Sequence, residues 1–223
     1  MIVLVTATGT DAGKTTFTRG LARALRRRGV DVVAVKPFET GVDQVARDAA
    51  ALERAAGVAA PGPWYRASAP VAPWAATLMG EPAPAWDRIV DGLRSLADRH
   101  AITLVEGAGG PRVPLDPKHE ILDLAVELGA KVLLVAPDTL GVLSFALTAW
   151  DAVRARGLEA ELVLRGLAEP DPSARTNAYV LNQKLGRTCV ALPFVPALED
   201  DDALADALEA SAPSLFGLAR RDG

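Results

Sequence analysis

The sequence is poor in the residues that disulfide frameworks and soft metal sites require. Its 223 residues include a single cysteine, Cys189, so no internal disulfide framework can form. Cys189 lies in an apolar stretch and is interpreted as a small core residue rather than a catalytic thiol. The two histidines, His100 and His119, lie far apart and do not have metal-ligand spacing. The sequence therefore indicates neither a disulfide scaffold nor a metal site built from cysteine and histidine.

The chain also lacks a surplus of basic residues and a long apolar segment. Its 24 Lys and Arg against 28 Asp and Glu give a formal net charge of −4, whereas nucleic acids and anionic membranes usually require a clustered basic surface. The longest basic run, at 26–28, ends a predicted helix, where it complements the helix dipole. The apolar start at 1–5 has no basic flank and no cleavage site. We therefore expect a cytoplasmic protein that binds neither nucleic acid nor membrane.

Short apolar runs rich in β-branched residues recur along the chain and are typical of parallel strands that are buried on both faces. They lie at 2–5, 32–35, 102–105, 132–135, 162–164 and 190–192. Amphipathic segments alternate with these runs and predict helices, the first of which ends at Gly29. The others lie at about 43–56, 85–99, 119–128, 140–156, 174–185 and 201–210. This alternation predicts a single α/β domain over residues 1–223, with a doubly wound, mostly parallel sheet and helices on both faces.

The stretch between residues 61 and 84 is the least regular part of the sequence. It contains six prolines, which break helices into short pieces, and irregular insertions of this length are often functional. Three aromatic residues, Trp64, Tyr65 and Trp74, could pack this stretch against the core or line a pocket. Packing is the favoured interpretation.

The strongest local signal is VLVTATGTDAGKTT at 3–16, which follows a strand and opens a helix, as a phosphate-binding loop must. Gly13 allows the backbone to approach phosphate oxygens, Lys14 can reach the β- and γ-phosphates, and the Thr15 hydroxyl can bind Mg²⁺. Gly9 stands one place later than the usual spacing, so we expect a variant loop conformation. The loop predicts a P-loop NTPase type of fold that binds a nucleoside triphosphate. Its candidate nucleotide-binding residues are Thr10, Asp11, Ala12, Gly13, Lys14, Thr15 and Thr16.

Two further predicted strands end in charged residues. Glu106 follows the run at 102–105 and precedes glycines, and Lys36 follows the run at 32–35 and precedes a proline. Because ligands of open α/β sheets lie at the carboxyl ends of the strands, both residues would face the same crevice as Lys14. A lone lysine at a strand end is usually solvated, but this convergence favours a functional role. Asp48, just downstream, is a second candidate carboxylate for Mg²⁺.

Taken together and in this order, these segments resemble the dethiobiotin synthetase family over roughly residues 1–198. The resemblance is carried by the Gly-Lys-Thr loop, KPFETG at 36–41, EGAGG at 106–110 and DTLGVL at 138–143, with the proline-punctuated stretch at 65–73 in support. It implies a ligase that uses ATP and Mg²⁺ to join CO₂ to 7,8-diaminopelargonate, closing the cyclic urea of dethiobiotin in biotin synthesis. It also implies a homodimer.

The resemblance implies a role for each matching residue. Lys14 would hold the transferring phosphoryl group, and Lys36 would stabilise the carbamate formed from CO₂ and an amine of the substrate. Thr15, Asp48 and Glu106 correspond to Mg²⁺ ligands. The residues that match substrate contacts are Thr40, Glu106, Gly107, Ala108, Gly109, Leu140, Gly141 and Ser144. The last three match a segment that binds the substrate's carboxylate in the site of the other subunit.

Four residues depart from the family pattern. Ala7 stands where the family has the first glycine of the loop, and Ser144-Phe145 stand where it commonly has Asn-His. Arg165 follows the strand at 162–164, where the family has an asparagine that reads the nucleotide base. Arg165 is therefore counted among the nucleotide-binding residues, with the base preference left open.

Three other functions remain open on the sequence alone. One is a related ATP-dependent, amide-forming ligase, although the relatives that amidate corrins carry a glutaminase domain for which this chain has no room. Another is a nucleotide switch of the partition or septum-site type, but such proteins usually carry an additional lysine that the loop at 7–12 lacks. The third is a non-catalytic nucleotide binder, against which the presence of Lys36, Asp48 and Glu106 argues.

Overall fold

A six-stranded parallel sheet forms the centre of the molecule in the computed structural model, which describes residues 1–42 and 46–219. The strands are β1 (Ile2–Ala7), β2 (Val32–Val35), β3 (Phe38–Thr40), β4 (Tyr65–Ala67), β5 (Ile102–Glu106), β6 (Lys131–Pro137), β7 (Ala160–Arg165) and β8 (Val190–Leu192). The central sheet has the order β2-β5-β1-β6-β7-β8, and all its pairings are parallel. The remaining strands, β3 and β4, form a small parallel sheet of their own.

Helices cover both faces of the central sheet. They are α1 (Lys14–Arg27), α2 (Arg47–Ala56), α3 (Pro73–Leu78), α4 (Trp86–Arg99), α5 (Ile121–Leu128), α6 (Val142–Ala155), α7 (Asn177–Leu185) and α8 (Asp201–Ser211). One apolar cluster packs α1, α2 and α8 against one face of the sheet. A second cluster packs the four helices from α4 through α7 against the opposite face. Along β1, Val3 and Val5 belong to the first cluster, whereas Ile2 and Leu4 belong to the second. This arrangement confirms the predicted doubly wound sheet, because each buried strand supplies both faces.

Several predicted elements have different bounds in the structure. The helix predicted at 43–56 begins at Arg47, and positions 43–45 lie outside the described residues. The helix predicted at 119–128 begins at Ile121, behind a capping box between Glu120 and Asp123. The helix predicted at 140–156 is α6, which begins at Val142. The segment at 174–185 divides into a 3-10 turn, Pro172–Arg175, and α7.

The proline-rich stretch at 61–84 contains two elements that the sequence did not reveal, β4 and α3. They span three and six residues, which is too short for a period of two or 3.6 to be recognised. Pro73 occupies the first turn of α3, where no backbone N–H is needed. Tyr65 is buried, and its hydroxyl donates to the Pro73 carbonyl at 3.2 Å, in line with the packing interpretation.

Two other sequence features, the single cysteine and the apolar segments, can be located in the structure. Cys189 is a buried, free cysteine, as a core residue should be. Among residues 1–42 and 46–219, no helix is both long and apolar enough to cross a membrane.

Candidate functional site

The loop at 8–13 connects β1 to the start of α1. The Thr8 amide donates to the Val135 carbonyl at 3.0 Å, which extends the pairing of β1 with β6 into the loop. Asp11 and Gly13 adopt the left-handed backbone conformation, with φ of 57° and 91°. Aspartate and glycine tolerate this conformation better than most residues. The left-handed turns therefore fall at Asp11 and Gly13, and Gly9 does not contribute one.

Lys14, the first residue of α1, is buried at the base of the loop. Its Nζ donates to the Gly9 carbonyl at 3.0 Å, so the loop closes around the amine. Burial lowers the pKa of Lys14, and attraction to Glu106 offsets part of that effect. A partly desolvated cation next to free amides at a helix start forms a strong phosphate-binding position.

Four side chains from different parts of the chain form one polar cluster beside this lysine. Glu106 is completely buried, and its Oε1 accepts hydrogen bonds from Thr15 Oγ1 at 2.7 Å and from Lys36 Nζ at 3.0 Å. Lys36 also forms an ion pair with Asp48. The parallel register explains the convergence, because Val5 of β1 lies opposite Glu106 at the carboxyl end of β5. The sequence prediction that these strand ends converge agrees with this geometry.

Lys36 is held in its charged form by this cluster. Burial alone would lower the pKa of Lys36, but the Glu106 and Asp48 carboxylates outweigh burial and raise that pKa above its usual value. In this charged form Lys36 can compensate negative charge that develops beside it.

The oxygen atoms of the cluster fit a magnesium ion. Glu106 Oε2 is buried and has no hydrogen-bond partner among the described residues. Carboxylate and hydroxyl oxygens, supplemented by phosphate oxygens and water, are the ligands that Mg²⁺ prefers. No group of three or more His, Cys, Asp or Glu in the described part of the chain could hold a metal ion by itself. Thr15, Asp48 and Glu106 could therefore hold Mg²⁺ together with the phosphates of a nucleotide.

A second buried glutamate, Glu39, was not identified from the sequence. It accepts hydrogen bonds from the Asp48 amide at 3.0 Å and from the Ala49 amide at 3.2 Å. Glu39 thereby satisfies two free N–H groups in the first turn of α2 and complements the positive end of the helix. It fixes the backbone that carries Asp48. In the sequence Glu39 stood out only as a member of the KPFETG segment at 36–41, and it was given no role of its own.

A cavity of about 620 Å³ opens above the cluster, a volume typical of small-molecule sites. Most of the predicted site residues line it: Thr10, Asp11, Gly13, Lys14, Thr15, Thr16, Lys36, Thr40, Asp48, Ala108, Gly109 and Arg165. The lining residues that the sequence did not predict are Phe38, Pro70, Val71, Ala72, Pro73, Val113 and Leu198. Four of these, at 70–73, belong to the proline-rich stretch. That stretch therefore forms a wall of the site as well as packing on the core.

Three predicted residues lie behind the surface of the cavity. Glu106 is in contact with two lining residues, Thr15 and Lys36, but does not itself line the cavity. Ala12 is buried, and its carbonyl accepts from Arg165 Nε at 3.3 Å. The Gly107 amide donates to the Val5 carbonyl at 2.9 Å and so continues the pairing of β5 with β1.

The predicted carboxylate-binding segment does not contribute to the cavity of its own chain. Leu140, Gly141 and Ser144 lie at the start of α6, and none of them lines the cavity. Leu140 is 79% exposed, and its amide donates to Asp171 at 2.7 Å. The Thr139 hydroxyl donates to the same carboxylate oxygen. Hydrogen bonds from Ser173, together with those from Thr139 and Leu140, hold the pKa of Asp171 well below its usual value.

Arg165 lies at the end of β7 against the phosphate-binding loop. A Cβ atom at position 13 would clash with the Arg165 side chain where it lies, so Gly13 allows this close approach as well as its own left-handed backbone conformation. Burial lowers the pKa of Arg165. Together with Leu198, Arg165 also borders a smaller, mostly apolar pocket of about 30 Å³ next to the main cavity. Arg165 therefore stands at the border between the phosphate-binding part of the site and this pocket.

Comparison with known proteins assigns the chain to a family. A family model described as AAA domain matches residues 2–201. The ATP-dependent dethiobiotin synthetase of Aquifex aeolicus (strain VF5) is 34% identical over 204 residues, covering 89% of this chain and 91% of that protein. The ATP-dependent dethiobiotin synthetase of Caulobacter sp. (strain K31) is 39% identical over 225 residues, covering 96% and 97%. The chain belongs to the dethiobiotin synthetase family.

Two solved structures share the fold of this dethiobiotin synthetase family member. The MinC:MinD cell division protein complex of Aquifex aeolicus aligns with a TM-score of 0.58 at 14% identity, covering 99% of this chain and 94% of that one. Chloroplast FtsY from Physcomitrella patens aligns with a TM-score of 0.54 at 18% identity, covering 93% and 64%. At these identities the likeness shows the fold alone, which confirms the predicted α/β fold with a mostly parallel sheet. The similarity to the two synthetases confirms the family resemblance seen in the sequence. It favours a synthetase over a nucleotide switch as the function of this chain.

Proposed function

We propose that this chain catalyses the ATP- and Mg²⁺-dependent carboxylation and ring closure of 7,8-diaminopelargonate with CO₂. The products are dethiobiotin, ADP and phosphate. The observation that carries the proposal is the contact of Lys36 with Glu106, which also binds Thr15 of the phosphate-binding loop. Family membership supports the choice of substrate. We propose that the whole chain acts as one nucleotide-binding domain. The cytoplasmic location expected from the sequence stays a prediction.

The nucleotide would bind with its triphosphate on the loop at 8–13 and on Lys14. Its nucleoside would extend towards Arg165 and Leu198, which border both the main cavity and the adjoining pocket. Thr15, Asp48 and Glu106 would hold Mg²⁺, whose charge would offset that of the phosphate oxygens.

The chemistry would proceed in three steps. The nitrogen lone pair of one substrate amine attacks the carbon of CO₂ and, after losing a proton, forms a carbamate. A carbamate oxygen attacks the γ-phosphorus, the bond to the bridging oxygen of ADP breaks, and a mixed carbamic-phosphoric anhydride results. The second amine attacks the carbamate carbon, loses its proton, and expels phosphate to close the cyclic urea. Most of the acceleration would come from positioning and from compensating negative charge.

Lys36 is suited to the first two steps. A carbamate and a γ-phosphate repel each other, so their approach requires a fixed positive charge between them. Lys36 lines the cavity, is charged at neutral pH and is held by Glu106 and Asp48. Lys14 would stabilise the transferring phosphoryl group on the opposite side.

The diamine would lie along the wall formed by Thr40, Ala108 and Gly109. Val71 and Val113 supply apolar surface in the same cavity for the hydrocarbon part of the substrate. The carboxylate at the far end would be received by the segment at 140–144, at the start of α6, of a second subunit. We therefore propose that the chain acts as a homodimer.

An exposed apolar surface supports the homodimer. Leu140, Phe145 and Tyr179 are 79%, 63% and 68% exposed. Asn177 Nδ2 donates to the Thr139 carbonyl at 3.4 Å, so the start of α7 lies beside the start of α6. Clustered exposed apolar residues often mark an interface. We propose that the surface formed by Leu140, Phe145 and Tyr179 contacts the second subunit.

Replacing Phe145 by aspartate should convert the dimer into monomers, because a carboxylate would be buried in the apolar contact. Light scattering after size-exclusion chromatography measures the mass directly. Val126→Asp is the matched control, since it places the same charge on an exposed apolar position of α5. A Phe145→Asp protein with the mass of the wild type would contradict the placement of the interface.

Mixing two inactive variants tests whether a site contains residues of both subunits. Ser144→Asp should repel the substrate's carboxylate, and Lys36→Ala should remove turnover. Random exchange in a two-fold dimer should restore about a quarter of wild-type activity, because half of the dimers are mixed and each mixed dimer has one intact site. The readout is incorporation of ¹³C-bicarbonate into dethiobiotin, followed by mass spectrometry. A mixture as inactive as its components would show that each site is built from one chain.

A further inference from the structure

Arg19 is a buried arginine on α1, one turn after Thr15. All three of its guanidinium nitrogens are engaged. Its Nε donates to Asp201 Oδ1 at 2.7 Å, and its Nη1 and Nη2 donate to the carbonyls of Leu198 and Glu199, each at 3.0 Å. Two of these acceptors belong to the backbone between β8 and α8, at 193–200. The arginine therefore joins the phosphate-binding helix directly to that segment.

The segment at 193–200 has neither helical nor strand structure, yet it borders the main cavity. Leu198 lines the main cavity and also the adjoining pocket bordered by Arg165. The start of the segment is held near the sheet, because the Gly166 amide donates to the Leu192 carbonyl at 2.8 Å. Arg19 holds the other end, at the residue that faces the cavity.

We infer that Arg19 is a positioning residue. It fixes the position of the cavity wall at Leu198, beside which the nucleoside would bind, relative to the phosphate-binding loop. The inference rests on the proposed function, which places the nucleoside beside Leu198. A planar guanidinium can bind two carbonyls and a carboxylate at once, whereas a lysine amine cannot reproduce this fork. A wall that is already ordered avoids the entropic cost of ordering it when the nucleotide binds.

The neighbouring arginines of α1 make a different kind of contact. Arg23 donates to both carboxylate oxygens of Asp202, and Arg27 contacts Asp206, on the exposed side of α8. These pairs connect α1 to α8 without contacting the backbone at 193–200. Exposed ion pairs contribute little to stability. Arg23→Ala is therefore a matched control from the same helix pair.

The test compares two ligands that share phosphates and differ in the nucleoside. Binding of ATP and of inorganic tripolyphosphate, each with Mg²⁺, is measured by calorimetry for the wild type, Arg19→Lys, Arg19→Ala and Arg23→Ala. We expect both Arg19 variants to lose about tenfold in ATP affinity and to keep tripolyphosphate affinity within about twofold, because only ATP contacts the segment at 193–200. In turnover, KM for ATP should rise more than kcat falls. Arg23→Ala should match the wild type.

Equal losses for the two ligands in the Arg19 variants, or no loss for either, would overturn the inference. So would a wild-type protein that binds tripolyphosphate as tightly as ATP, since the nucleoside wall would then contribute nothing. If Arg19→Ala does not fold, the ATP and tripolyphosphate affinities of Arg19→Lys, which retains the positive charge, provide the same comparison. A wild-type protein that does not bind ATP at all would contradict the proposed function itself.

Discussion

Replacement of Lys36 by alanine should abolish turnover while nucleotide affinity stays within about twofold of the wild type, with a fall in kcat of about 10³-fold or more. The amine contacts Glu106 and Asp48 at the edge of the cavity, whereas Lys14 sits within the phosphate-binding loop itself. In the proposed reaction Lys36 acts on the carbamate rather than on the bound triphosphate. Product formation and calorimetric ATP binding, measured on the same preparation, separate the two effects.

Two further variants sharpen this prediction. Lys36→Arg keeps the charge but changes the shape of the donor, and we expect it to restore only a small part of the activity. Lys131→Ala removes a half-exposed lysine that pairs with Glu159 at the surface and should leave activity unchanged. Parallel losses of ATP affinity and turnover in Lys36→Ala would show that Lys36 is a binding or structural residue.

The second large effect is expected for Glu106→Gln. The substitution removes the buried carboxylate that accepts from Thr15 and Lys36, and an amide is a poor ligand for Mg²⁺. We expect the Mg²⁺ concentration for half-maximal activity to rise and kcat/KM to fall by about 10²-fold or more. A titration of turnover with Mg²⁺ measures both quantities.

Asp48→Asn provides the comparison for this variant. The Asp48 side chain is 40% exposed, whereas that of Glu106 is completely buried, so water can partly replace the Asp48 carboxylate. The effect of Asp48→Asn on the Mg²⁺ requirement should therefore be the smaller of the two. An unchanged Mg²⁺ requirement in Glu106→Gln, with the fold verified by circular dichroism, would remove Glu106 from the metal site.

The central sheet could be predicted because its strands are continuous apolar runs, such as Val32–Val35, and because the chain alternates between strands and amphipathic helices. Lys36 and Glu106 could be assigned to one crevice from the same pattern. Parallel strands bring their carboxyl ends to one edge, so a charged residue just after a strand is located without knowledge of the packing. The phosphate-binding loop was recognisable because its chemistry is local.

The remaining parts of the site depend on contacts between segments distant in sequence. Glu39 caps α2 only because β3 pairs with β4 and places its carboxylate beside the Asp48 amide. The contact between Arg19 and Leu198 joins residues 179 positions apart in the sequence. The sequence around each of these two residues does not indicate that they meet. Periodicity reports on burial within one element, and it does not report which elements meet. The wall at Leu198 could not be identified from the sequence for this reason, and for the stretch at 61–84 the sequence favoured packing over pocket lining.

The most direct measurement of the proposed activity is phosphate release from ATP in the presence of Mg²⁺ and bicarbonate, with and without 7,8-diaminopelargonate. CTP and GTP, tested in parallel, would show which base the site accepts beside Arg165. We expect release that depends on the diamine, matches dethiobiotin formation and is absent in Lys36→Ala. Release at the same rate with and without the diamine, for every nucleotide tested, would contradict the assignment of this chain as a carbamate-forming synthetase.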